Sequence, residues 1–138
     1  MKRARATDLA TNCPCGGLCY AQCCGRWIDG GQVPDGAKQL MRSRYTAYTR
    51  DDAAYIARTW AASTRPPEDA TTQPDATSWF GLEIRHCSTT GDNATVEFVA
   101  RYKVAGRAHR LHEISRFVRE DGQWFYLDGS FPEGRTTT

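Results

Sequence analysis

Val96-Glu97-Phe98-Val99-Ala100-Arg101-Tyr102 places Val96, Phe98, Ala100 and Tyr102 on one side and Glu97, Val99 and Arg101 on the other. A period of two is a strand with one face turned to a core. The same period runs outward in both directions. Upstream, Leu82, Ile84 and His86 alternate with Glu83, Arg85 and Cys87, and Gly91-Asp92-Asn93 supplies the turn between the two strands. Downstream, Ala105-Gly106 turns the chain into a third strand, His109 to Val118. Asp121-Gly122 is a strong two-residue hairpin signal, and Gln123 to Asp128 forms the fourth strand.

Before these strands the period is helical. Ala37, Leu40, Met41, Tyr45 and Tyr48 share one stripe at i, i+3, i+4 spacing, with Asp35 as the expected N-cap. Asp51 or Asp52 starts a second, short helix whose Ile56 and Trp60 share a face. Ser63 to Thr77 reads as a long loop, and Ser78-Trp79-Phe80 re-enters the core. Helices followed by an antiparallel meander mean an α+β fold, with a curved sheet wrapped around the helical pair. Residues 1 to about 11 lack periodicity and are expected to be disordered, and Pro132 to Thr138 is expected to be a tail.

The chain has 138 residues, 40% hydrophobic and 11% aromatic, enough for one globular domain with a small appendage. A net charge of +2 gives no general case for nucleic acid. No window approaches the ~20 apolar residues of a membrane span, and the basic start lacks the apolar stretch of a signal peptide. A cytoplasmic location is the expectation, and there thiols stay reduced.

That matters because five of the six cysteines crowd into Cys13-Pro14-Cys15-Gly16-Gly17-Leu18-Cys19-Tyr20-Ala21-Gln22-Cys23-Cys24-Gly25. Thiols one residue apart are poorly placed to bridge each other. They suit a metal whose tetrahedral shell gathers four sulfurs. Five thiols are available for four positions. A closed thiolate shell leaves no place for water, so the expected ion is structural, zinc first and iron as its competitor.

Arg44 is the oddity of the helical stripe, since a buried charge needs a partner. Glu113 is the natural one, on a strand face shared with Leu111, Ser115 and Phe117. One reading is an internal ion pair that fixes helix on sheet. The other is a ligand pocket lined by Arg44, Glu113, Ser115, Tyr126 and Asp128, in which the arginine holds a carboxylate or phosphate. His86, His109 and His112 are expected to face solvent, Cys87 to be a small buried or half-buried hydrophobe, and Trp27, Trp60, Trp79 and Trp124 to serve core or junction. No phosphate loop, nucleophile elbow or carboxylate dyad appears.

The cysteine segment resembles the SEC-C motif, a zinc-binding module with the pattern Cys-x-Cys-Gly-Ser-Gly, then Tyr-x-x-Cys-Cys/His-Gly. Leu40-Met41-Arg42-Ser43-Arg44-Tyr45-Thr46-Ala47-Tyr48, Tyr55, Thr59-Trp60, Trp79-Phe80-Gly81-Leu82-Glu83-Ile84, Glu113-Ile114-Ser115-Arg116-Phe117 and Trp124-Phe125-Tyr126-Leu127-Asp128-Gly129 add a close resemblance to the YchJ-like family of bacterial proteins. The resemblance implies a zinc knuckle over residues 12–27 and a nuclear transport factor 2-like cone over residues 34–131. It assigns the ligands to Cys13, Cys15, Cys23 and Cys24. Two departures bear on that set. Gly16-Gly17 makes the loop one residue short, and Cys19 stands where relatives usually have a non-ligand, ready to replace Cys23 or Cys24 if the loop does not close. By analogy the resemblance also implies a non-enzymatic adaptor that presents Arg26, Trp27 and Tyr20 to a protein partner. The alternative is an enzyme in the conical pocket with Glu113 as acid/base, helped by Asp128 or Tyr126.

Overall fold

Two helices and then a four-stranded antiparallel meander form the frame of the protein in the computed structural model, which describes residues 12–17, 19–67 and 77–133. The expected disorder of residues 1–11 and most of the tail lie outside the described residues. So do residues 68–76 of the expected long loop.

Helix α1 is a single turn, Gly25–Ile28, preceded by a 3-10 turn at Tyr20–Gln22. Helix α2 spans Ala37–Thr49 and α3 spans Ala53–Arg58. Asp52 caps α3, its carboxylate accepting from the Tyr55 N–H at 3.0 Å. Asp35 does not cap α2. Gly36 holds the N-cap position in an extended conformation with no side-chain hydrogen bond. The strands are β1 Thr77–Thr90, β2 Asn93–Val104, β3 Arg107–Glu120 and β4 Gln123–Ser130, in that spatial order. Two of the turns, Ala105-Gly106 and Asp121-Gly122, have positive φ at both residues, the geometry that matches the twist of flanking strands.

Three register shifts bend the sheet and re-aim side chains. One falls at Phe80, within a β1 that begins earlier than the sequence suggests. Phe80 is therefore 51% exposed instead of entering the core with Trp79. The second falls at Arg85 and reverses the alternation of β1. His86 now lies opposite Glu97, and Cys87 opposite Val96. Cys87 is exposed, not the packed hydrophobe its strand position suggests. The third is at Leu127 and reshapes the candidate pocket, as shown below.

The core lies between the inner sheet face (Val96, Phe98, Ala100, Phe117, Trp124) and α2, where Leu40 is fully buried. Helix α2 is enclosed on more than its apolar stripe: Ser43, Thr46 and Ala47 are also fully buried. Helix α3 and the cysteine segment cover that second side. The free edge of β4 is partly covered as well. The Tyr126 N–H donates to Thr59 O at 2.8 Å and Ala61 N–H donates to Tyr126 O at 2.7 Å, so residues 59–61 add a short parallel bridge.

Candidate metal centre

The knuckle begins with a tight turn. Gly16 N–H donates to Cys13 O at 2.9 Å and Cys13 N–H to Gly17 O at 3.0 Å, which sets Cys13 and Cys15 side by side. The 3-10 turn then returns the chain so that Cys23 and Cys24 arrive at the start of α1. The sulfurs of Cys13, Cys15, Cys23 and Cys24 all lie within 4.8 Å of one another, and those of Cys15 and Cys23 are 3.6 Å apart. Four thiolates at about 2.3 Å from one ion would stand about 3.8 Å apart, so the group has the dimensions of a tetrahedral site. The short loop closes because residue 17 is glycine. A β-carbon there would meet Cys23 Sγ at 2.7 Å. Cys19 is half-buried and lies outside the four-sulfur group.

The donor chemistry agrees with a cation. Hydrogen bonds from the Cys15 and Cys24 thiols hold Cys13 far below the usual thiol range. Their bonds to Cys13 push the other two up, Cys15 to about 12 and Cys24 further. A divalent ion is what would stabilise four thiolates held this close together.

The knuckle is part of the main core. Cys13, Cys15, Tyr20, Cys24, Trp27 and Ile28 are all buried in the same cluster as the helices and sheet. Thr46 on α2, 0% exposed, donates its hydroxyl to Cys24 Sγ at 3.3 Å and lies 3.6 Å from Cys13 Sγ. Tyr20 donates to Asp29 at 2.8 Å, and the Arg50 guanidinium sits 4.3 Å over its ring. Tyr20 and Trp27 are therefore buried, where the expectation had them at the surface. Of the three residues expected to be presented, Arg26 is exposed, lying 4.5 Å over the Trp27 ring. Thr46 had no sequence signal beyond being a threonine off the apolar stripe.

The second candidate site, around Arg44, is a closed polar cluster. Arg44 is 4% exposed and forms no direct ion pair with Glu113 among the described residues. It donates to Ile56 O at 2.9 Å and to Thr59 Oγ1 at 2.7 Å, and its guanidinium lies 4.5 Å over the Tyr126 ring and 5.1 Å over Trp60. Burial works against its charge, and Tyr48, Tyr126 and Glu113 work for it. Glu113 instead accepts from Ser115 at 2.8 Å and from the Tyr126 hydroxyl at 2.8 Å. Burial first, and Glu113 second, push the Tyr126 phenol up, so it remains a donor. The expected ion pair is thus replaced by a relay in which the Tyr126 ring receives the cation and its hydroxyl serves the carboxylate.

Asp128 does not join this cluster. On an unbroken strand Tyr126 and Asp128 share a face. The bulge at Leu127 sets Tyr126 opposite Phe117, inside, and Asp128 opposite Arg116, outside. There Asp128 accepts two hydrogen bonds from Arg116, one at 2.6 Å, which hold its carboxyl below the usual range. The next residue is glycine for a spatial reason. A β-carbon on Gly129 would overlap the Glu113 carboxylate. Gly129→Ala is expected to cost about 1–3 kcal/mol in urea unfolding by overpacking. Gly81→Ala, where the nearest atom is 3.9 Å away, is the control. Equal midpoints for the two variants would show that Glu113 has free space.

His112 is on the outer face, as expected, but is not open to solvent. Its ring nitrogens meet Glu97 at 2.7 Å and Glu133 at 2.9 Å, and its side chain is 9% exposed. His109 stacks on Tyr102 at 5.0 Å. Among the described residues no helix is long and apolar enough to cross a membrane.

The family described as "YchJ, middle NTF2-like domain" matches residues 36–129. A UPF0225 protein of Ralstonia nicotianae is 53% identical over 128 residues, covering 85% of this chain and 89% of its own length. One from Cupriavidus metallidurans is 49% identical over 138 residues, covering 95% and 96%. The solution structure of a SEC-C motif containing protein from Rhodopseudomonas palustris superposes with a TM-score of 0.79 at 31% identity, over 89% of this chain and 100% of that one. A crystal structure of a SEC-C motif containing protein from Psychrobacter arcticus gives 0.74 at 26% identity, over 95% and 86%. With its matching central domain and close relatives over nearly its whole length, this chain belongs to the YchJ-like UPF0225 family, built on a nuclear transport factor 2-like fold.

Proposed function

We propose that this chain is a cytoplasmic zinc protein in which Cys13, Cys15, Cys23 and Cys24 hold a structural ion, and that its task is to bind a protein partner rather than to catalyse a reaction. The convergence of four sulfurs within 4.8 Å carries the zinc reading. Four protein thiolates fill a tetrahedral shell, and zinc bound in that way orders the segment that holds it. Two observations support a non-enzymatic role. Glu113, the candidate acid/base, is 7% exposed and its carboxylate is engaged by Ser115 and Tyr126. Arg44, the candidate anion holder, gives its hydrogen bonds to Ile56 and Thr59. The cluster therefore reads as internal structure that fixes helix on sheet, with the Trp60 Nε1 as its one buried polar atom lacking a partner among the described residues. With Tyr20 and Trp27 buried, partner contact falls to exposed groups such as Arg26, Val33 and Phe80.

Elemental analysis of the purified full chain tests the zinc reading. About one zinc per chain is expected, retained in Cys19→Ser. Absence of stoichiometric metal overturns it, and iron with visible thiolate absorption corrects the ion. Quantitative capture from cell extract tests the binding role, with an exposed-site variant, Phe80→Asp, as comparison. A stoichiometric protein recovered by the wild-type chain and lost with the variant supports it. Recovery of nothing above background removes the partner role and leaves the zinc reading intact.

A further inference from the structure

A closed four-thiolate shell around a divalent ion keeps a net double negative charge, and such a centre inside a protein needs donors and cations around it. The side of α2 opposite its apolar stripe supplies them. Arg42, Thr46 and, at the C-cap just past the helix, Arg50 recur every four residues and so lie along one side of α2. All three meet the knuckle. Thr46 Oγ1 donates to Cys24 Sγ at 3.3 Å and lies 3.6 Å from Cys13 Sγ. Arg42 Nη2 lies 4.0 Å from the point where a β-carbon on Gly16 would stand, beside Cys15. Arg50 covers Tyr20 at 4.3 Å and approaches Asp29 at 3.9 Å.

Arg42 has a second peculiarity. Its Nε is buried and has no hydrogen-bond partner among the described residues. A guanidinium nitrogen without a partner is costly unless nearby negative charge compensates it. The thiolate centre, beside Arg42 through Cys15 and Gly16, would carry such charge when metallated.

We propose that this face of α2 is a built outer shell for the metal centre, in which the Thr46 hydroxyl is a positioning donor to the Cys24 sulfur, packed beside that of Cys13, and Arg42 balances the charge of the centre. This rests on the zinc reading above. It makes α2 the element that connects metal loading to the main domain, because its opposite face carries Leu40, Met41, Arg44 and Tyr45 into the core. Removing an outer-shell partner typically weakens metal binding about 10–100-fold.

The test uses zinc-loaded full chain and follows metal transfer to a chromophoric chelator. Thr46→Val, close in shape but without the donor, is expected to release zinc about 10-fold faster or more. Thr46→Ser is expected to restore the wild-type rate. In cobalt-substituted protein the sulfur-to-cobalt charge-transfer band is expected to move to lower energy in Thr46→Val but not in Thr46→Ser, because an unbonded thiolate is a better electron donor. A merely packing role would not move that band. Arg42→Met, on a partly exposed residue, keeps the idea testable if Thr46→Val does not fold. It is expected to release zinc several-fold faster than the wild type, and to lack the acceleration by salt expected of the wild type. Wild-type release rates and an unmoved band in Thr46→Val overturn the donor role. An unchanged rate and salt response in Arg42→Met overturns the charge role. A wild-type chain that binds neither zinc nor cobalt overturns the underlying metal reading, a result separate from these.

Discussion

Cys24→Ala is expected to lose its zinc and to unfold at least 10 °C below the wild type. Cys24 is 0% exposed, lies in the four-sulfur group, accepts the Thr46 hydrogen bond, and stands just before α1, whose Trp27 and Ile28 enter the main core. Without an ion three thiols would remain crowded together, and the knuckle has only short turns of regular structure to order it. Losing a structural metal belongs to the small set of changes that cost more than about 4 kcal/mol. For a domain of this size that is about 10 °C or more. The wild-type protein stripped by chelator under reducing conditions should melt close to Cys24→Ala, since both lack the same interaction. Cys87→Ala, on an exposed strand residue, should stay within about 0.5 kcal/mol of the wild type. A Cys24→Ala protein that keeps its metal, or melts with the wild type, refutes the assignment.

Arg44→Met is expected to cost about 3–5 kcal/mol, measured as a shift of the urea midpoint at constant slope. The methionine fills most of the space but leaves the Ile56 carbonyl without its 2.9 Å donor and removes the cation lying over Tyr126. Glu113 then remains as a buried carboxylate served by two neutral hydroxyls. Adding Glu113→Leu should recover part of the loss, because the unbalanced charge goes with it. The relay through Tyr126 fixes the size of that coupling. Arg44 and Glu113 are not in direct contact, so a double-mutant cycle should give a value towards the lower end of the roughly 0.5–3 kcal/mol seen for linked residues. An Arg44→Met midpoint within about 1 kcal/mol of the wild type would mean that the guanidinium is as well solvated as a surface group.

Much of the frame was legible from local pattern. The alternation of Val96, Phe98 and Ala100 gave a strand with its inner face buried, and Asp121-Gly122 gave a hairpin with both residues at positive φ. The stripe from Ala37 to Tyr48 gave α2, and the cysteine crowding gave a thiol cluster. These are short-range signals, each carried by residue type and spacing within a few positions.

Tertiary contacts decided the rest. Bulges carry no sequence mark, so the alternation could not reveal that the extra residue at Leu127 turns Asp128 outward to Arg116, or that one at Arg85 reverses the faces of His86 and Cys87. The pairing of Arg44 depended on where Thr59, Trp60 and Tyr126 arrive from distant parts of the chain, and the carboxylate of Glu113 fits only because Gly129 has no side chain. Nor could a helix pattern foretell that α2 would be covered on a second side. The amino-acid order determined which residues form helix, strand and thiol cluster, because those choices rest on backbone periodicity. Folding in three dimensions decided that the knuckle seats its sulfurs on Thr46 and buries Tyr20 and Trp27, because such contacts join segments whose separation in sequence says nothing about their distance in space.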